Sequence, residues 1–266
     1  MSLAAPSADV VPRVTAAILV IGDEILSGRT KDQNIGWIAD TLTAIGIDLR
    51  EVRIVADDAT DIIAAVNALR GRYTYVFTTG GIGPTHDDIT ADCIAAALGV
   101  PIDVDPRAVA IMQPYYDARG VPLTEARLRM ARVPAGATLI ANSVSAAPGF
   151  MAENVIVMAG VPAIMRVMLA DALPHLARST PVESRTIQVP HPEGEIAELL
   201  RRHQDAYPTI AMGSYPRRDD GRLTTELVLR SADPVALSTA TEQLIALLAE
   251  RGLVERIPSR PEAGPP

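Results

Sequence analysis

Cysteine occurs once in the 266 residues, at Cys93, which excludes an internal disulfide and any zinc site built from several cysteines. Aromatic residues make up only 3% of the chain against a hydrophobic fraction of 48%, so the core must be aliphatic and rich in alanine. Positive charge is in deficit: the formal net charge is -8, with a pI near 5.0, which argues against a general surface for nucleic acid or anionic membrane. Any phosphate has to be met locally. No apolar run approaches the roughly 20 residues needed to cross a bilayer. The opening MSLAAPSADVVPR has neither a basic region nor an apolar core, so it does not read as a signal peptide, and a cytoplasmic protein is expected. The four histidines include no pair at metal-ligand spacing, and no internal repeat is visible.

What the chain does have is concentrated in YTYVFTTGGIGPTHDDIT, Tyr73 to Thr90. The segment from Tyr73 to Thr78 is rich in β-branched and aromatic residues and predicts a strand. Gly80, Gly81 and Gly83 break it, and DITADCIAAALG then predicts a helix closed by Gly99. A strand, a glycine turn and a helix start place bare backbone N–H groups and the positive end of a helix dipole at a sheet edge, a phosphate site that needs no cationic side chain. Asp87 and Asp88 would repel that phosphate unless a hard divalent cation stood between them. Alternatively, Thr85 caps the helix and the acids complement its dipole. Asp87 is read in that second way and Asp88 as a ligand-site residue.

TTGGIGPTHDDIT resembles the signature of the molybdopterin-binding domain of the MoaB/Mog type, with Thr78, Thr79, Gly80, Gly81, Gly83, Asp88 and Thr90 on its fixed positions. The form GPTHDD is similar to the amino-terminal domain of the CinA (competence/damage-inducible) group. The likeness continues, with changes, at Asn142 and at Ala147-Pro148-Gly149-Phe150, where Ser143 and Ser145 replace that group's proline and glycine. It continues again at Met158-Ala159-Gly160-Val161-Pro162.

The order of elements supports an α/β fold. Val14 to Gly22 is a continuous apolar run fit for a central strand. The polar connection GDEILSGRTKDQN follows, offering Asp23, Glu24, Ser27, Asp32 and Asn34, whose structural roles would be turn formation and, for Asp32, an N-cap. Ile35, Ile38, Ala39, Leu42 and Ile45 form one helical face, with Trp37 beside it as packing. A strand to Val55 leads through Asp57 and Asp58 into a helix carrying Ile62, Ile63, Val66 and Leu69. One of these two acids is a cap, and Asp57 is equally a site candidate. This β-α-β-α-β-α order predicts a mostly parallel sheet with helices on both faces, a three-layer αβα domain of the MoaB/Mog kind over residues 14–178, with acid-bearing loops converging on one edge. Helical, polar sequence from Asp105 to Arg132 brings Arg127, Arg129 and Arg132 as phosphate partners. Residues 133–150 read as loop, and Phe150 to Met158 as a hairpin turning at Glu153-Asn154. Residues 184–254 read as a small α+β domain of split βαβ type. Residues 1–13 read as a flexible arm and 255–266 as a disordered tail.

The resemblance implies two kinds of ligand: a molybdopterin-like pterin, or a nucleotide pyrophosphate such as ADP-ribose or FAD hydrolysed with a metal. In the hydrolase reading Asp88 with Asp57 or Asp23 holds Mg²⁺, Mn²⁺ or Co²⁺. Gly80, Gly81 and Gly83 hold phosphate oxygens, while Thr79 and Ser27 donate hydroxyl hydrogen bonds, with Asn34 and Thr90 as further ligand contacts. The alternatives are a non-catalytic pterin binder and a molybdopterin adenylyltransferase. Many members of the CinA group carry a deamidase domain that this sequence does not show, so deamidation is not expected. Relatives also imply a symmetric homodimer.

Overall fold

The computed structural model describes residues 13–219 and 222–254, so the arm over residues 1–12 and the tail over residues 255–266 lie outside the described residues. The chain divides into two compact units between Ser179 and Thr180.

The first unit is organised on β1 (Thr15–Ile21), which is buried along nearly its whole length. Its side chains alternate between two cores. Ala17, Leu19 and Ile21 enter one, and Ala16, Ile18 and Val20 the other. A strand apolar on both faces has to be covered twice, and it is. After β1 come α1 (Asp23–Leu26), α2 (Asn34–Ala44), β2 (Asp48–Val55), α3 (Ala59–Arg70), β3 (Tyr75–Thr79) and α4 (Thr90–Leu98). Ile62, Val66 and Leu69 of α3 and Ile94 of α4 join the first core; Ile38 and Leu42 of α2 join the second. Fully burying each such side chain contributes about 1.5–3 kcal/mol.

The chain continues through β4 (Ile102–Val104), α5 (Pro106–Asp117), α6 (Glu125–Leu128), β5 (Arg132–Pro134), β6 (Thr138–Ile140), β7 (Gly149–Ala152), β8 (Val155–Met158) and α7 (Pro162–Ala172). The main sheet has the order β2-β1-β3-β8-β7-β6. β2, β1, β3 and β8 run parallel; β7 is added antiparallel through the hairpin expected at Glu153-Asn154, and β6, antiparallel to β7, runs with the other four. The three-layer αβα architecture and its mostly parallel sheet are therefore as the sequence predicts.

Three local expectations are corrected. The connection after β1 contains the one-turn helix α1, too short for its periodicity to show in sequence. Residues 133–150 are not all loop: β5 pairs with β4 as a separate two-stranded ribbon, and β6 is the edge of the main sheet. Thr85 does not cap α4; the residue before that helix is Ile89, which has no side-chain cap.

In the second unit β9 (Glu183–Val189), α8 (Glu193–Ala206), β10 (Ala211–Asp219), β11 (Arg222–Ser231) and α9 (Pro234–Glu250) give a three-stranded sheet of order β10-β11-β9. β11 is antiparallel to both neighbours, so it splits a parallel βαβ pair. Its own core includes Val189, Ile196, Leu227, Leu229, Leu237 and Leu244. Among the described residues, no helix is long and apolar enough to cross a membrane.

Candidate functional site

At the carboxyl end of β3 the backbone turns through two glycines at positive φ, Gly80 at 103° and Gly81 at 66°. A Cβ on Gly80 would lie 2.1 Å from the Ile21 carbonyl oxygen, and one on Gly81 would lie 2.2 Å from Thr90 Oγ1. No other residue type fits this turn as it stands. Thr90 closes it from the far side: its hydroxyl donates to the Gly80 carbonyl at 3.0 Å and its N–H to the Gly81 carbonyl at 3.0 Å. Gly80 N–H donates to Met158 at the end of β8. The N–H groups of Gly81, Ile82 and Gly83 find no protein acceptor among the described residues. Three unpaired donors thus stand before the N-terminus of α4, where the helix dipole adds positive potential.

Asp88 is fixed beside them. Its Oδ2 accepts from Thr85 N at 2.8 Å and from the Thr85 hydroxyl at 2.5 Å. A Cβ on Gly83 would lie 2.5 Å from the same oxygen, so the third glycine makes room for this carboxylate. The acids of the other two loops meet each other. Asp57 Oδ2 accepts from Asp23 N at 2.9 Å. Asp58, not Asp57, caps α3, accepting from Thr60 and Asp61 N–H. Burial pushes the Asp57 carboxyl above its ordinary range, as do the negative charges of Asp23, Glu24 and Asp87, against a smaller lowering by the Asp23 hydrogen bond. The loops after β1, β2 and β3 therefore share one electrostatic field. Among the described residues, no three Asp, Glu, His or Cys side chains are grouped to hold an ion by themselves.

The glycine turn and Asp88 form one wall of a cleft of about 510 Å³. Apolar side chains, among them Met130, Val161, Ile164 and Met168, form much of the rest, and Glu24, Thr30, Asn142 and Ser145 supply polar groups. Among the described residues, no Lys, Arg or His side chain lines it. Asn142 organises the loop between β6 and β7. Its Nδ2 donates to Ser145 Oγ and the Ala147 carbonyl, and its Oδ1 accepts from Val144 and Ser145 N–H. Glu24 is among the sequence candidates of the connection after β1; Thr30, Asn142 and Ser145 are not expected from the sequence as ligand contacts, although the Asn142 segment carries part of the family likeness.

The remaining candidates are placed as follows. Ser27 is exposed at the end of α1, its hydroxyl donating to Glu24 O at 3.3 Å. Asn34 is buried and donates from Nδ2 to the Gly160 carbonyl at 2.8 Å, with Oδ1 unpaired. Gln33 stands at the cap position of α2 without a side-chain bond, and Asp32, one residue earlier, accepts from the Asn34 and Ile35 N–H groups at the helix start in its place. Thr79 is 1% exposed and its hydroxyl is also unpaired. Cys93 is buried and its thiol is pushed up to about 11 by burial, which leaves it unreactive. His203 is buried and bonds the Ala240 carbonyl, and Trp37 lies under the Arg166 guanidinium at 4.1 Å.

A six-stranded, mostly parallel sheet between helices, with a glycine turn and a fixed aspartate at the carboxyl edge of its central strands, defines the class: a three-layer α/β domain with a ligand cleft at the strand ends. The family described as "probable molybdopterin binding domain" matches residues 17–178, more than half of the chain, and the chain belongs to that family. Residues 181–256 are similar to the family described as "FAD synthase, middle domain". A protein of Pyrobaculum arsenaticum is 32% identical over 258 residues, covering 93% of this chain and 96% of that one. A CinA-like protein of Anaeromyxobacter dehalogenans is 37% identical over 164 residues, which are 60% of this chain but 40% of that protein. Among solved structures, CinA of Thermoplasma acidophilum, a protein of unknown function, superposes with a TM-score of 0.56 at 33% identity, covering 60% of this chain and 98% of its own. The CinA-like character expected from GPTHDD holds.

Proposed function

We propose that this cleft is the active site of a metal-dependent hydrolase of nucleotide pyrophosphates of the ADP-ribose or FAD kind. The observation that carries the reading is the pairing of three unbonded N–H groups at Gly81, Ile82 and Gly83 with Asp88, in a cleft without a cationic side chain. The donors suit phosphate oxygens, while the carboxylates oppose them unless a cation comes with the ligand. Mg²⁺ and Mn²⁺ commonly take one or two carboxylates together with substrate phosphates, and a hard oxygen donor set short of a full cage fits that habit. Asp88, which lines the cleft, would hold such an ion with Asp57 or Asp23, which stand on the neighbouring loops outside the cleft lining; its chemistry when bound is to neutralise the anhydride and acidify water.

The chain's own residues do the remainder. Gly81, Ile82 and Gly83 orient phosphate oxygens, and Thr85 keeps the Asp88 carboxylate in one rotamer. The apolar wall of Met130, Ile164 and Met168 receives a flat ring and keeps bulk water off the anhydride. The likeness of the second unit to a domain of FAD synthase supports a nucleotide ligand.

The experiment is product release from ADP-ribose and FAD with Mg²⁺, Mn²⁺ or Co²⁺, against EDTA and Asp88→Asn, with products separated by chromatography. AMP formation that needs metal, and that falls on the order of 100-fold in Asp88→Asn, is expected. Equal turnover in that variant at saturating metal sinks the assignment. The apolar walls favour one second reading, binding of a phosphorylated pterin without turnover; saturable pterin binding with no product from either nucleotide is its signature.

A further inference from the structure

We propose that Arg129 is the positioning residue of this site, a cation set behind the glycine turn that orients Asp88 and strengthens the hold on a ligand's phosphates without touching them. The proposal rests on the cleft reading above.

Three arginines approach this part of the fold, and two are occupied. Arg127 donates to the Pro122 carbonyl and lies over the Tyr116 ring, and Arg132 pairs with Asp92 at 2.6 Å. Arg129 has no carboxylate partner among the described residues. Its Nη2 donates to the Asp88 backbone carbonyl at 3.2 Å, and its Nε is buried with no acceptor among the described residues. A buried guanidinium N–H left unpaired is costly, so its retention calls for a reason. The place of Arg129 supplies one. With Gly81, Ile82, Gly83 and Asp88 it lines a void of about 10 Å³ that neighbours the cleft. That void has room for about one water and none for a phosphate, and Arg129 is not among the residues that line the cleft, so it acts on a ligand there from behind the turn. Gly81, Ile82, Gly83 and Asp88 line both the void and the cleft. The charge therefore acts through a thin layer of backbone, where screening is weak, and the hydrogen bond to Asp88 fixes the main chain from which the carboxylate projects.

The test compares wild type, Arg129→Lys and Arg129→Gln in three readouts: binding of ADP-ribose and of adenosine by calorimetry with Mn²⁺ present, KM and kcat for ADP-ribose, and unfolding followed by Trp37 fluorescence. Arg129→Gln is expected to weaken ADP-ribose binding about 10-fold and to leave adenosine binding unchanged, with Arg129→Lys recovering most of the loss. An unchanged ADP-ribose affinity in Arg129→Gln overturns the proposal, as does an equal loss for adenosine or a failure of wild type to bind ADP-ribose. If the glutamine variant does not fold, the lysine variant decides: retained ADP-ribose affinity supports the role and a 10-fold loss overturns it. Charge-dependent binding without any product removes the hydrolase reading and leaves this one. Product formed at an unaltered KM in Arg129→Gln does the reverse.

Discussion

Replacing Gly81 by alanine tests whether the glycine turn is shaped by its contact with Thr90. Two costs add in the single variant. A non-glycine residue at a φ of 66° is strained by about 1–2 kcal/mol. The new methyl would stand 2.2 Å from Thr90 Oγ1, so that hydroxyl must leave and the buried Gly80 carbonyl loses its donor, for about 1–3 kcal/mol. Gly81→Ala should therefore destabilise by about 2–5 kcal/mol. Thr90→Ala alone loses the same hydrogen bond, for about 1–3 kcal/mol. In the double variant the methyl enters space that Oγ1 has vacated and the hydrogen bond is lost only once. The two effects should thus fall short of additive by the hydrogen bond counted once instead of twice, about 1–3 kcal/mol, well beyond the roughly 0.5 kcal/mol seen for independent sites. Gly80→Ala has no such remedy, because its methyl meets the backbone oxygen of Ile21 at 2.1 Å. The assay is urea unfolding followed by tryptophan fluorescence: the chain has one tryptophan, Trp37, so the signal reports the first unit alone. Additive single and double variants would refute the argument.

Two further outcomes follow from the protonation of the half-buried Asp57 and the buried Cys93. Because Asp57 has its carboxyl raised above 3.8, the folded chain holds that proton more tightly than the unfolded one. Its unfavourable contribution is absent below 3.8 and grows as pH rises through the folded value. Asp57→Asn keeps an acceptor for the Asp23 N–H, so with EDTA present it should melt higher than wild type at pH 7 and lose that advantage near pH 3; an equal difference at both pH values contradicts the reasoning. Cys93, with its thiol near 11, should resist a thiol reagent at pH 8 in the native protein and react at least ~100-fold faster in urea. Fast stoichiometric labelling of the native chain would show that the helix after the turn opens readily.

What the sequence revealed of the fold follows from which signals are long enough to read. β1 is apolar on both faces for seven residues, and α2 repeats its apolar positions over three turns, so both stand out in a single chain. The one turn of α1 and the three residues each of β4, β5 and β6 hold less than two periods of any pattern. Their places are set by what they pack against. Asp57 and Asp58 illustrate a second limit. Either can precede a helix, and only the backbone path shows that Asp58 caps α3 while Asp57 turns back to Asp23. The contribution of Asn142 was hidden for a third reason, since a side chain satisfied by its own loop resembles any other turn asparagine until the loop is seen to wall a cleft.

The polar residues of the signature divide by what their hydroxyls and carboxyls touch. Thr90 is wholly buried and spends its hydroxyl on Gly80, Thr79 lies beneath the turn, and Asn34 ties Gly160 into place. A Cβ on Gly160 would in turn stand 3.3 Å from the Gly80 Cα. These groups hold three strand ends and a helix start within contact distance of one glycine. Asp88 differs, since it lines the cleft and Thr85 fixes its carboxyl from outside the fold's core. A motif in which most polar positions shape a cradle and one faces its contents specifies the cradle more tightly than the reaction. On the proposed reading the same turn can serve a pterin or a nucleotide, with the choice falling to the less regular polar walls of Glu24, Thr30, Asn142 and Ser145. Exchanging those four residues, rather than the glycines, is therefore the perturbation that should change which ligand is held while leaving the turn intact.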